Sequence, residues 1–227
     1  MAPGREHDVR RFDTCGQAWI GVLRHVWTAG VAGLDDSGPI IEGPPVLFEV
    51  ASLSWEDPLL REHGDRVGLA GRARERTRPG AQGRDGPELR GPELRGPELR
   101  GAGLRGPGGV DRLGWVVDLL RARPWTTSAW IPLALPGEPA EALPCVTALS
   151  FRIRGYRLIM TGMFRSQNVY GGYLTYIPLR GVQLQVAEEL GLPAGPLRVF
   201  VDVPHVRVAD AERVAAVLTA LPKPSAA

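Results

Sequence analysis

Cysteine and lysine are the scarce residues of this chain. Cys15 and Cys145 are the only two cysteines, far apart and without Cys-x-x-Cys spacing. That argues against a disulfide scaffold and for a reducing, cytoplasmic setting, and no metal site is read from them. Lys223 is the only lysine, so arginine carries nearly all the positive charge. The formal net charge is only +2, which gives no case for a bulk nucleic-acid or membrane-surface binder. No apolar run approaches the ~18–20 residues that span a bilayer. The N-terminus, Met1-Ala-Pro-Gly-Arg-Glu-His-Asp8, is polar and lacks the apolar stretch of a signal peptide. What is present is 227 residues, 44% of them hydrophobic, enough for one substantial core.

Residues 14–29 read as a helix. Trp19, Val22, Leu23, Val26 and Trp27 recur at helical spacing, with Thr14 to cap the start and Gly30 to end it. Residues 45–53 read as a buried strand, and Trp55-Glu-Asp-Pro58 as the start of a loop. Residues 71–109 differ in character. Gly86-Pro-Glu-Leu-Arg90 repeats at 91–95 and 96–100, then degenerates to Gly101-Ala-Gly-Leu-Arg105. Glycine and proline at that density sustain neither helix nor strand, and one apolar residue in five builds no core. The segment reads as a flexible surface insertion or as a partner- or RNA-binding arm; its mixed-sign charge makes a poor phosphate patch and favours the first.

Order resumes at Val110. Asp111 to Leu120 reads as a helix with Leu113, Val116, Val117 and Leu120 on one face, and Thr126 to Ala134 as a strand. Val146–Arg154 and Tyr156–Phe164 form a hairpin turned at Arg154-Gly155. Pro178 reads as the first residue of a helix that runs to Glu189 or Leu190, with Gly191 as its stop. Leu197–Val203 is an apolar strand, and Asp210 opens a last helix through about Leu221. Interspersed strands and helices imply an α/β or α+β layered fold. Residues 1–70 and 110–227 then form one domain interrupted by the repeat at 71–109.

The chemistry-bearing residues follow Cys145. It stands in Leu143-Pro144-Cys145, ahead of a strand. Twenty positions on (145 to 165) comes Phe164-Arg165-Ser166-Gln167-Asn168, and later Pro204-His205. A thiol, a cation beside a hydroxyl and a late histidine suit an anion-binding, nucleophilic site. Taken singly, a buried cysteine is an inert small apolar residue, and a lone histidine or arginine is structural. Their order and spacing are what point to a site.

These residues resemble the thymidylate synthase family, which includes the pyrimidine-nucleotide hydroxymethylases. Residues 111–124 resemble the helix before the family's arginine-bearing strand, and Ser128-Ala-Trp-Ile-Pro132 that strand. Pro144-Cys145 is similar to its nucleophile motif, Arg165-Ser166-Gln-Asn168 to its Arg-Ser-x-Asp motif, and residues 191–205 to the stretch leading into its His-x-Tyr. The N-terminal helix with Glu42 looks more like the short archaeal and phage branches. The resemblance implies a large mixed sheet with flanking helices, paired back-to-back as a homodimer. It implies that the Cys145 thiolate adds to C6 of a pyrimidine nucleoside monophosphate and that C5 takes a one-carbon unit from 5,10-methylene-tetrahydrofolate, giving a methyl or hydroxymethyl product. Arg165 would help ionise the thiol and grip phosphate, Ser166 would donate to a phosphate oxygen, and His205 would bind a ribose hydroxyl or phosphate.

Several positions depart from that pattern. Trp125-Thr126-Thr127 stands where the family has adjacent arginines that reach a partner's phosphate, leaving Arg121 or Arg123 as substitutes. Asn168 replaces the aspartate that anchors the pterin. Tyr176 falls where an asparagine reads the base edge, and Arg207 replaces the tyrosine after the histidine. Glu56 or Glu62 is left to serve as the catalytic glutamate. Three readings therefore stand: a divergent C5 transferase, a non-catalytic homologue that acts as a binding or assembly partner, and an unrelated cysteine hydrolase using Cys145 and His205. The last lacks a nucleophile elbow or an oxyanion-type glycine motif.

Overall fold

The computed structural model describes residues 9–64, 104, 110–134, 137 and 144–221. Expectations for the repeat, for Leu143 and for the tail after Leu221 lie outside the described residues, Leu104 excepted. Leu104 is buried against the core, and its carbonyl accepts the Arg112 N–H at 3.3 Å.

The described strands form one mixed eight-stranded sheet with flanking helices. In chain order the elements are β1 (Arg10–Thr14), α1 (Cys15–Ala29), β2 (Val31–Asp35), β3 (Gly38–Glu42), β4 (Val46–Ser52), α2 (Pro58–His63), α3 (Arg112–Ala122), β5 (Trp130–Pro132), β6 (Val146–Arg154), β7 (Arg157–Asn168), α4 (Tyr173–Glu189), β8 (Ala194–Arg207) and α5 (Ala211–Ala220). The sheet order is β1-β4-β8-β7-β6-β5. β3 pairs with β8 beyond the end of β4, and β2 pairs with β3. β1/β4 and β7/β8 are parallel, and α4 is the crossover between β7 and β8.

Alternation in the strands shows which face is covered. Phe48, Val50, Leu158, Met160, Phe164, Leu197, Val199 and Val201 are buried, whereas Glu49, Ile159, Thr161, Met163, Arg198 and Phe200 between them are only partly so. The buried set meets α1 and α4. Tyr173 packs edge-on to Trp19 at 5.3 Å, and Tyr176 packs edge-on to Phe48 at 5.6 Å and to Phe164 at 5.7 Å. The other face of the central strands is only partly buried among the described residues. There Glu49 pairs with Arg198 and, at 3.3 Å, with Arg11.

Helix α1 begins and ends as its spacing predicts. Thr14 accepts the Gln17 N–H, and the Gly30 N–H closes on Val26. Helix α3 buries Leu113, Val116, Val117 and Leu120, with Asp111 as its cap. The β6–β7 hairpin turns through Gly155 and Tyr156 at φ 54° and 59°, the left-handed pair of a two-residue turn.

Four expectations change. Helix α4 starts at Tyr173, which leaves Pro178 inside it. An interior proline costs roughly 3 kcal/mol, but starting earlier buries Tyr173, Tyr176 and Ile177, which outweighs it. The strand expected over 126–134 shrinks to Trp130–Pro132, because the Thr126 hydroxyl caps a local turn at the Ser128 N–H. The segment after Trp55 contains the short helix α2. Strands β7 and β8 both outrun their apolar runs, and their polar ends carry the candidate site.

Asp57 ties the N-terminal part together. One carboxylate oxygen accepts the Gly16 N–H of α1 at 2.8 Å, and the other accepts the Leu59 N–H of α2 at 3.0 Å. With Asp57 buried, Asp57→Ala strands donors of two helices at once. We expect a loss of about 2–4 kcal/mol in urea denaturation, twice an ordinary cap; a loss below about 0.5 kcal/mol would show that water replaces the carboxylate.

Candidate functional site

The site is laid across three neighbouring strand ends. Cys145 immediately precedes β6, and its carbonyl accepts the Arg165 N–H at 3.0 Å. Ser166 lies beside Val203 and Asn168 beside His205 in the parallel β7–β8 register. Strands lie ~4.8 Å apart, so thiol, arginine, serine and histidine occupy a row about 10 Å wide. Cys145 is half-buried against the edge of the core. The Arg165 Nε donates to the Pro144 carbonyl at 3.4 Å, which sets the guanidinium beside the cysteine. Arg165 is exposed, Ser166 and Asn168 are half-buried, and His205 is buried.

His205 is almost fully buried. Its Nδ1 lies 3.4 Å from the Ser166 Oγ and 3.3 Å from the Val203 carbonyl, and its Nε2 lies 3.5 Å from an Asp35 carboxylate oxygen. Burial pushes its pKa below the ordinary 6.5; the Val203 carbonyl and the Asp35 and Glu42 carboxylates oppose that shift, and Arg207 assists it. The ring is neutral at neutral pH. Cys15, by contrast, is a buried core thiol whose pKa burial drives far up, Asp57 adding to the effect. It is no rival to Cys145 as a nucleophile.

Other expected site residues fall differently. Both ends of the Asn168 amide are occupied: Oδ1 accepts the Tyr170 N–H at 3.2 Å, and Nδ2 donates to Asp210 at 3.1 Å. Asparagine suits this place because an aspartate would face the Asp210 carboxylate with nothing to donate. Tyr176 is a core residue, 1% exposed, between Phe48 and Phe164. Arg207 is exposed at the end of β8 opposite Ile40. Arg121 donates to the Glu189 carbonyl at 2.6 Å, closing the end of α4. Trp125 is 75% exposed and Thr126 is buried. Glu56 lines a small cavity with Trp55, Ile177 and Arg180. Arg180 reaches the Gly195 carbonyl, so this cavity lies near the start of β8, whereas His205 lies near its end. Glu62 is exposed on α2.

Asp35 belongs to none of the sequence motifs. Its only sequence signal is Asp35-Asp36-Ser37-Gly38, a hairpin-turn composition between short apolar runs. Among the described residues, no group of His, Cys, Asp and Glu is arranged to hold a metal ion, and no helix is long and apolar enough to cross a membrane. No known protein family's model matches the chain, and no curated protein matches it.

The depressed His205 pKa has a stability consequence. As pH falls, the unfolded chain takes up protons near 6.5 before the folded chain does, so the unfolded state binds more protons and stability drops. His25, also held low chiefly by burial, acts in the same direction. The urea midpoint should therefore fall between about pH 7.5 and pH 5.5, and fall less in His205→Gln. An equal fall in the variant would assign the acid sensitivity to other groups.

Proposed function

We propose that the protein is a thymidylate-synthase-like transferase that modifies C5 of a pyrimidine nucleoside monophosphate. The observation that carries this reading is Cys145 at the head of β6 with Arg165, Ser166 and His205 on the two strands beside it. In this reading the Cys145 sulfur forms a bond to C6, and the C5=C6 π pair moves onto C5, where it is delocalised through C4 (onto O4 in uracil, N3 in cytosine). C5 then captures an electrophile. With a solvent proton as that electrophile, loss of the original C5 hydrogen and expulsion of the thiolate return the base with its C5 hydrogen exchanged. Arg165 offers a bidentate partner to a phosphate, and the neutral His205 with Ser166 meets the sugar side.

The one-carbon donor of this reading is 5,10-methylene-tetrahydrofolate, with methylation or hydroxymethylation as the outcome. The residue at the pterin-anchoring position, Asn168, does not fit that task, since both ends of its amide are spent within the protein. The reading sets the protein in the cytoplasm, where its nucleophile stays reduced.

It also includes a homodimer built on the sheet face away from α1 and α4. Leu47, Ile159, Met163 and Phe200 supply apolar surface there, and the Arg11–Glu49–Arg198 cluster sits among them. Phe200→Glu should shift a dimer towards monomer in sedimentation velocity; an unchanged sedimentation coefficient would place any dimer elsewhere.

A second reading is a catalytically degenerate homologue that acts as a binding or assembly partner. The spent Asn168 amide and the buried Tyr176 favour it. Exchange separates the two. Incubation with C5-tritiated UMP, dUMP, CMP or dCMP, with and without the folate, should release tritium from one of them. Cys145→Ala should abolish release while binding persists, and Arg165→Ala should weaken binding about 10- to 100-fold, the worth of a charge-assisted contact. No release and no binding of any of the four would sink the transferase reading.

A further inference from the structure

The β2–β3 hairpin brings to His205 a carboxylate that the proposed transfer chemistry does not use. Glu42 lies opposite His205 and Ile40 opposite Arg207, which clamps the hairpin onto the end of β8. Within the hairpin, Val31 faces Glu42, Gly33 faces Ile40, and Asp35 faces Gly38. Residues paired in this way share a face, so Asp35 rises on the same side of the sheet as His205. Gly38, at φ 120°, makes the return possible. The Ser37 N–H donates to Asp35 Oδ1 at 2.7 Å. That bond orients the carboxylate and leaves Oδ2 facing the His205 Nε2.

We propose that Asp35 is a positioning residue that holds His205 as its Nε2–H tautomer and so makes Nδ1 the acceptor of the Ser166 hydroxyl proton. A neutral imidazole has one N–H; here the Asp35 carboxylate faces Nε2 at 3.5 Å, while the Val203 carbonyl at 3.3 Å and the Ser166 hydroxyl at 3.4 Å face Nδ1. A carboxylate is the stronger acceptor, so the proton sits on Nε2. Nδ1 then carries a lone pair that accepts from the Ser166 hydroxyl, whose Oγ lies 3.4 Å away, and that bond offsets the repulsion between Nδ1 and the Val203 carbonyl. The other charges facing the ring are Glu42 and Arg207, of opposite sign, so Asp35 in direct contact decides the tautomer. With its proton turned inward, Ser166 offers only lone pairs to a ligand. It matches a ribose hydroxyl, or a phosphate that still carries a proton, better than a bare phosphate oxygen.

This inference deepens the site proposed above, but its test reads the ring whether or not C5 exchange occurs. The intact protein, labelled with 15N, is examined at neutral pH by long-range proton–nitrogen correlation, and His205 is identified by its loss in His205→Gln. The expected wild-type pattern is a protonated Nε2 and a pyridine-type Nδ1. In Asp35→Asn the Ser37 N–H keeps the side-chain oxygen, the amide NH2 faces Nε2, and the pattern should reverse. Glu42→Gln should leave it unchanged. Ser166→Ala should keep Nε2–H but move the Nδ1 resonance towards that of an imidazole nitrogen without a donor. A wild-type ring protonated on Nδ1 overturns the proposal by itself, whatever the variants do. So does a folded Asp35→Asn protein with the wild-type pattern.

Discussion

The parallel pairing of β7 with β8 is the contact on which the rest depends. It runs from Leu158–Ala194 to Asn168–His205, the longest register in the sheet. Its inner half buries Met160, Phe164, Leu197, Val199 and Val201 under α4, and its outer half sets Ser166 beside Val203 and Asn168 beside His205. One ladder therefore carries both core and candidate chemistry. A one-residue slip would turn every side chain of one strand to the other face. It would expose the apolar set and scatter the polar one together, so apolar burial enforces the alignment of residues that are not themselves apolar.

Strand β8 has a divided second edge. β4 occupies the part from Leu197 to Val201, and β3 takes over from His205 to Arg207. The Gly43 N–H bonded to the Pro204 carbonyl at 2.8 Å marks the change, and Pro44 and Pro45 follow it. Proline donates nothing to a ladder, so one strand stops there and the next begins. Through this break the small hairpin, rather than the main sheet, supplies the wall behind the buried histidine.

What was legible in the sequence follows physical periodicity. Helices α1 and α3 have clear helical spacing and side-chain caps, and the β6–β7 turn has its glycine. The start of α4 is not legible, because Pro178 is a local signal for a helix start and the tertiary burial of Tyr173 and Tyr176 is not local. The ends of β7 and β8 were cut short because Arg165–Asn168 and Pro204–Arg207 do not alternate apolar with polar. In the candidate site, spacing along the chain names Cys145, Arg165, Ser166 and His205, and the fold sets them on neighbouring strand ends. Asp35 was not: nothing local to β2 says which distant strand the hairpin will join. The engagement of Asn168 was likewise hidden, since its partner Asp210 lies on the far side of α4 and β8 in the chain.

That Asn168–Asp210 contact constrains the order in which substitutions can occur. The asparagine joins the end of β7 to the turn before α4 and to the start of α5, while Asp210 also lies 3.7 Å from Arg213. Placing a carboxylate at position 168 alone would keep the bond to Tyr170 but set two anions against each other. Changing Asp210 first would leave the asparagine amide without its acceptor. Each single step leads through a less stable chain, and only the pair of changes escapes it. The protein thus sits in a local trap: a carboxylate at this strand end is closed off by two residues that depend on one another.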